Sequence, residues 1–115
     1  MGLIHEAEKK LAFADFLVGR ADMDNYAKAA FGHVFASANI LIQSLTGLND
    51  LDSNSPQLVK QNLVKFNDPE ATDFAKFYVE LLKATSKQNV TVGEVEISVR
   101  RVRQFLEWVQ DQKVQ

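Results

Sequence analysis

Cysteine is absent from this 115-residue chain. That excludes a disulfide framework, thiolate-bound zinc and a cysteine nucleophile, and it fits an intracellular protein. Proline and glycine are scarce, at two and five, so long structureless connections are not expected. An excess of charge of either sign is also missing. Thirteen Lys and Arg against fifteen Asp and Glu leave a net −2, which gives no general attraction for phosphate backbones. The halves differ slightly, with four basic and seven acidic residues in 1–54 and nine and eight in 55–115. The longest nearly uncharged stretch, Ala29–Asn49, is interrupted by His33, Asn39, Gln43 and Ser44 and reads as a buried helix, not a membrane span. The opening MGLIHEAEKK carries charge from its fifth residue onward and lacks the layout of a secretory leader. Together these absences predict a soluble, cytoplasmic domain that makes no use of a membrane.

What is present suits a packed core. Hydrophobic residues make up 46% of the chain and charged ones 24%, ordinary values for a globular protein. The length fits one domain, 1–115, burying roughly two-thirds of its unfolded surface. The periodicity is helical throughout. Ile4, Ala7, Leu11, Ala14 and Val18 form one stripe at 3.6-residue spacing, followed by a polar break at 21–25. A second helix runs from about Tyr26 to Thr46 and stops at Gly47, a C-terminal cap. After the polar loop Asn49–Asn54, Ser55-Pro56 reads as an N-cap followed by a first-turn proline, opening a short helix with Leu58, Val59, Leu63 and Phe66. Asp68-Pro69 repeats the signal before Phe74, Phe77, Tyr78, Leu81 and Leu82. Thr91 and Glu94 match a capping box, and Val95, Val99, Val102, Leu106 and Val109 then recur at a/d spacing. The expected fold is an all-α, up-and-down bundle of four to five helices.

The stretch AFGHVFASANIL, Ala30–Leu41, sets a histidine and an asparagine in an apolar run. On a wheel of 100° per residue, Ala27, Ala30, Val34, Leu41 and Leu45 form the core face, while Lys28, Gly32, Asn39 and Gln43 fall on the opposite, polar side. His33 lies at the edge of the core in a row with Tyr26, Ala29, Ala36 and Ile40. A metal there would need further ligands, yet His5 is the only other histidine and no HExxH or HxxxH pair exists. The favoured reading of His33 is helix packing, with a general base as the sharper alternative. The small residues Ala29, Gly32 and Ala36 would let another backbone approach closely.

The opening helix AEKKLAFADFLV, the polar break and YAKAAFGHVFASANILIQSL resemble the first helix pair of HEPN domains (higher eukaryotes and prokaryotes nucleotide-binding). The matching positions are Ala7, Leu11, Ala14, Leu17, Tyr26, Ala30, His33, Ala36 and Leu41, and the order of the later helices is similar. The resemblance covers most of the chain and rests on apolar spacing. It implies a homodimer that is either a ribonuclease of toxin–antitoxin systems, using an arginine followed four to six residues later by histidine, or an inactive partner of a minimal nucleotidyltransferase. This chain departs from the catalytic pattern. Neither His5 nor His33 follows Arg20, Arg100, Arg101 or Arg103 at that distance, and Lys83 stands where the family often carries its arginine. The resemblance therefore implies a domain without the nuclease chemistry and without a cofactor.

Other signals for chemistry are thin. Glu8 and Asp15 lie two turns apart on one helix, about 10.5 Å along its axis, too far to work as an acid/base pair unaided. No glycine-rich phosphate loop exists, and no Ser or Thr has a base beside it in sequence. Arg100, Arg101 and Arg103 are a candidate nucleic-acid contact, but Glu96–Arg100 and Arg103–Glu107 are expected i,i+4 pairs that would blunt it. Candidate ligand-binding residues are Tyr26, His33, Lys83 and Lys87. Outside the valine stripe of the last helix, Ile97, Phe105 and Trp108 align with Arg101, and Phe13 and Phe16 sit off the main face of the first. These six residues are the candidate dimer interface, on the argument that the core stripe's neighbours cannot also cover a second row. The leading expectation is a non-catalytic, homodimeric interaction module. The competing one is an RNA-processing or nucleotide-binding enzyme with an unrecognised site.

Overall fold

A computed structural model describes residues 2–20, 26–86 and 89–114, with side chains to residue 112. The polar break at 21–25 and Lys87 lie outside the described residues. Five helices follow in order: α1 (Leu3–Val18), α2 (Ala27–Thr46), α3 (Pro56–Val64), α4 (Pro69–Ala84) and α5 (Val92–Val114), with a 3-10 turn at Asp52–Asn54 between α2 and α3. No strand occurs among the described residues. The protein is an all-α helical bundle.

The ends of the helices are set by local chemistry. The Asp68 carboxylate accepts from the Glu70 amide at 2.9 Å, and Ser55 Oγ accepts from the Leu58 amide, each with proline in the first turn. At α5 the capping box is closed in both directions. Glu94 N–H donates to Thr91 Oγ1 at 3.1 Å, and Thr91 N–H donates to Glu94 Oε1 at 3.0 Å. Gly47 ends α2 with φ 78°, a left-handed turn that only glycine adopts without strain, and its N–H donates to the Gln43 carbonyl.

Packing follows the predicted stripes. Ala7, Leu11, Ala14, Val34, Leu41, Val95, Val102 and Val109 are all buried in one core cluster. α1 and α2 form an antiparallel hairpin in which the buried Ser37 hydroxyl donates to the Ala7 carbonyl at 2.8 Å. α5 lies across this hairpin, and Arg103 reaches Asp15 on α1 at 3.3 Å instead of pairing with Glu107 on its own helix.

Two expectations about α2 are overturned. Asn39 does not face solvent; it is 6% exposed, because the 3-10 turn folds over what the wheel marks as the outer side. Gly32, for its part, receives no close neighbour. It is exposed in mid-helix, and a methyl group added there would meet nothing within 4 Å. Gly32→Ala should accordingly raise stability, by up to about 1 kcal/mol in urea denaturation, since alanine gains helix propensity without a clash.

Candidate functional site

A broad opening lies between α4 and α5, which run antiparallel. At one end they are clamped. The Phe74 and Phe105 rings stack in parallel with centroids 3.6 Å apart, and Trp108 Nε1 donates to the Asp68 carboxylate at 3.2 Å. Asp68 therefore serves twice, capping α4 with one oxygen and tying down α5 with the other. Towards the other end the helices leave a groove of about 510 Å³ between Phe77, Leu81 and Ala84 on α4 and Ile97 and Ser98 on α5, with Phe31 of α2 also lining it. It shares Phe77, Glu80 and Ile97 with an adjoining recess of about 490 Å³ that extends to Asp73, Lys76 and Arg101.

Helix geometry explains why this surface stays open. Val95 and Val99 carry the core face of α5, and Ile97, two residues from each, points roughly 200° away from both. It is 58% exposed, an aliphatic side chain left largely uncovered by the described residues. Arg101, one turn on, lays its guanidinium over the Phe77 ring at 5.1 Å from the centroid. The groove thus has apolar walls and charged lips, with Asp73, Lys76, Glu80 and Lys83 exposed along α4.

The row proposed from the sequence as a dimer interface divides. Phe105 is completely buried, stacked on Phe74, and belongs to the core of its own chain. Trp108 is half-buried, stacked on Phe105 and edge-on to Phe66. Both rows find neighbours within the chain, because α1 and α2 pack on the first while Phe74 and Asp68 at the start of α4 take Phe105 and Trp108 of the second. Ile97 and Arg101 alone of that row remain exposed. Phe13 and Phe16 are 46% and 57% exposed and stack on each other with centroids 6.1 Å apart, on α1 and away from the groove.

The ligand-binding candidates do not converge. His33 is half-buried with its ring edge-on to Phe13 at 4.8 Å, which is a packing role. Tyr26 precedes α2, with the Arg20 guanidinium 5.8 Å from its ring centroid. Lys83 lines the groove, 3.9 Å from Glu80. Phe31 reaches the groove, and His33 is two residues further along α2, so it points to the other side of the helix. Among the described residues no three His, Cys, Asp or Glu side chains are grouped to hold a metal ion. Of the three arginines of α5, Arg101 lies over Phe77, while Arg100 and Arg103 line one recess together with the carboxylates of Asp15 and Glu96, where Arg103 meets Asp15.

The buried polar cluster under the 3-10 turn is a second feature that wheel analysis misses. Asn39 Nδ2 donates to Tyr78 OH at 2.7 Å and to Ser53 Oγ at 3.0 Å, and Tyr78 OH donates to the Ser53 carbonyl at 2.9 Å. Gln43 closes the set by donating to Asn39 Oδ1. Burial pushes the Tyr78 hydroxyl up to about 12; the Asp50 charge adds to this and the Asn39 hydrogen bond opposes it. No buried side-chain nitrogen or oxygen among the described residues lacks a partner. The cluster joins α2, α4 and the turn through one another's groups, and is a structural tie.

Comparison with family models, with curated proteins and with solved structures finds no match. No helix among the described residues is long and apolar enough to cross a membrane.

Proposed function

We propose that this protein is a non-catalytic helical interaction module that acts as a homodimer through the α4–α5 groove. The observation that carries the reading is Ile97, 58% exposed on the lip of an apolar groove whose walls include Phe77, Leu81 and Ala84. An aliphatic side chain beside an uncovered apolar channel gains by being removed from water, at about 25 cal/mol per Å² buried. Charged lips around an apolar floor match the arrangement of association surfaces. The likeness to inactive HEPN domains supports the same reading, and it names a minimal nucleotidyltransferase as a second partner to test by co-purification.

Sedimentation equilibrium on the wild type and on Ile97→Glu tests the proposal. The wild type is expected to dimerise and Ile97→Glu to remain a folded monomer, because the substituted position is exposed and its carboxylate would be carried into an apolar seam. Trp108→Glu would be a poor probe, since Trp108 packs on Phe105 within the chain. A wild type that stays monomeric at high concentration overturns the reading.

A further inference from the structure

Four exposed charged side chains follow the edge of α4 where it borders the groove: Asp73, Lys76, Glu80 and Lys83. Their positions are symmetric about residue 78. Asp73 and Lys83 lie five residues to either side of it, Lys76 and Glu80 two. Within each symmetric pair the signs are opposite. A helix with this arrangement is complementary to itself when turned end for end.

A two-fold contact has just that requirement: if one residue meets another across the interface, the second copy makes the reciprocal contact. Antiparallel α4 helices related by an axis at position 78 set Asp73 opposite Lys83 of the second copy and Lys76 opposite its Glu80, giving four attractive pairs in all. A parallel, in-register contact would set like charges together. The apolar surface this contact covers is already present, as half-buried Phe77 beside the axis and exposed Ile97 on the facing lip. Within one chain Lys83 meets Glu80 at 3.9 Å with the two side chains 72% and 73% exposed. A pair so solvated holds its members weakly and leaves both able to engage a partner.

From this antisymmetry and the groove beside it, we infer that the occupant of the α4–α5 groove is a second copy of this chain, docked through antiparallel α4 helices about position 78. The inference rests on the homodimer reading above and adds its register and symmetry. Electrostatic pairing sets the register and the apolar walls supply the area.

Charge reversal tests it. Lys76→Glu/Lys83→Glu makes the row wholly acidic, and Asp73→Lys/Glu80→Lys makes it wholly basic. Each variant alone should dimerise at least about tenfold more weakly than wild type at low salt, because four attractive pairs become repulsive. An equimolar mixture of the two should recover wild-type affinity as a heterodimer, in which all four pairs are attractive again. If both variants dimerise as tightly as wild type, with no preference on mixing, the α4 seam is overturned and the homodimer stands. A monomeric wild type overturns both. Should a charge-reversed variant fail to fold by far-UV circular dichroism, cross-linking decides. The chain has no cysteine of its own, so Lys76→Cys mixed with Glu80→Cys should give a disulfide-linked dimer under mild oxidation. A wild-type dimer without that cross-link contradicts the register.

Discussion

Phe105→Ala should destabilise the protein by about 3–5 kcal/mol, the usual cost of emptying a fully buried aromatic site. Phe105 has no exposed surface. Its ring lies parallel to Phe74 with centroids 3.6 Å apart, and Trp108 stacks on it with centroids 5.6 Å apart. The alanine variant would leave Phe74 and Trp108 facing a cavity at the place where α4 and α5 are clamped. Against a total stability of about 5–15 kcal/mol expected for a domain of this size, the loss is severe. Urea denaturation followed by Trp108 fluorescence and by circular dichroism checks it. The two probes should shift together, because Trp108 reports on the same stack. Were Phe105 an interface residue covered by a second copy, the loss would vanish on dilution to the monomer. The structure predicts the same loss at every concentration.

Tyr78→Phe should cost about 1–3 kcal/mol at neutral pH and, in addition, change how stability depends on alkaline pH. Removing the hydroxyl takes a donor from the Ser53 carbonyl and an acceptor from Asn39 Nδ2, both in a buried setting. The pH effect follows from the raised pKa of about 12 against an ordinary 10.0. The folded state holds the phenol proton more tightly than the unfolded chain does. Its contribution is complete below pH 10 and is lost as pH rises through about 12. Two pH units correspond to about 2.7 kcal/mol over that window. Wild-type stability should fall there by an extra amount that Tyr78→Phe does not show, so the two stabilities converge as pH rises. Parallel stability curves from pH 9 to 12 would show that Tyr78 is not the group responsible.

How far each feature could be read from the sequence depends on how local its causes are. The capping box of Thr91 and Glu94 and the proline starts at Ser55 and Asp68 are made by residues within three or four positions of one another, and they appear where the spacing places them. The core stripe of α5 was equally legible, since its period alone identifies the buried side. Asn39 was not, because its partners Ser53 and Tyr78 lie 14 and 39 residues away and the turn that covers it is held by those same bonds. Phe105 failed for a related reason. A wheel gives the direction of a side chain but not the neighbour that fills it, and here that neighbour is Phe74. The wheel places Ile97 and Arg101 off the core stripe, and both stand exposed in the structure. The groove beside them depends on α4 and α5 parting beyond the Phe74–Phe105 stack, a matter of tertiary packing that no local pattern encodes.

The most direct test of the interaction-surface reading is a dilution series of backbone amide NMR spectra on the wild-type protein, from near-millimolar to the lowest detectable concentration. An α4–α5 association surface predicts concentration-dependent shifts at Lys76, Phe77, Glu80, Ile97 and Arg101. It also predicts stationary signals for the buried Leu11, Val34 and Val102 and for Phe13 and Phe16 on the opposite helix. Spectra that superpose at every concentration, or shifts confined to α1 around Phe13 and Phe16, would contradict it.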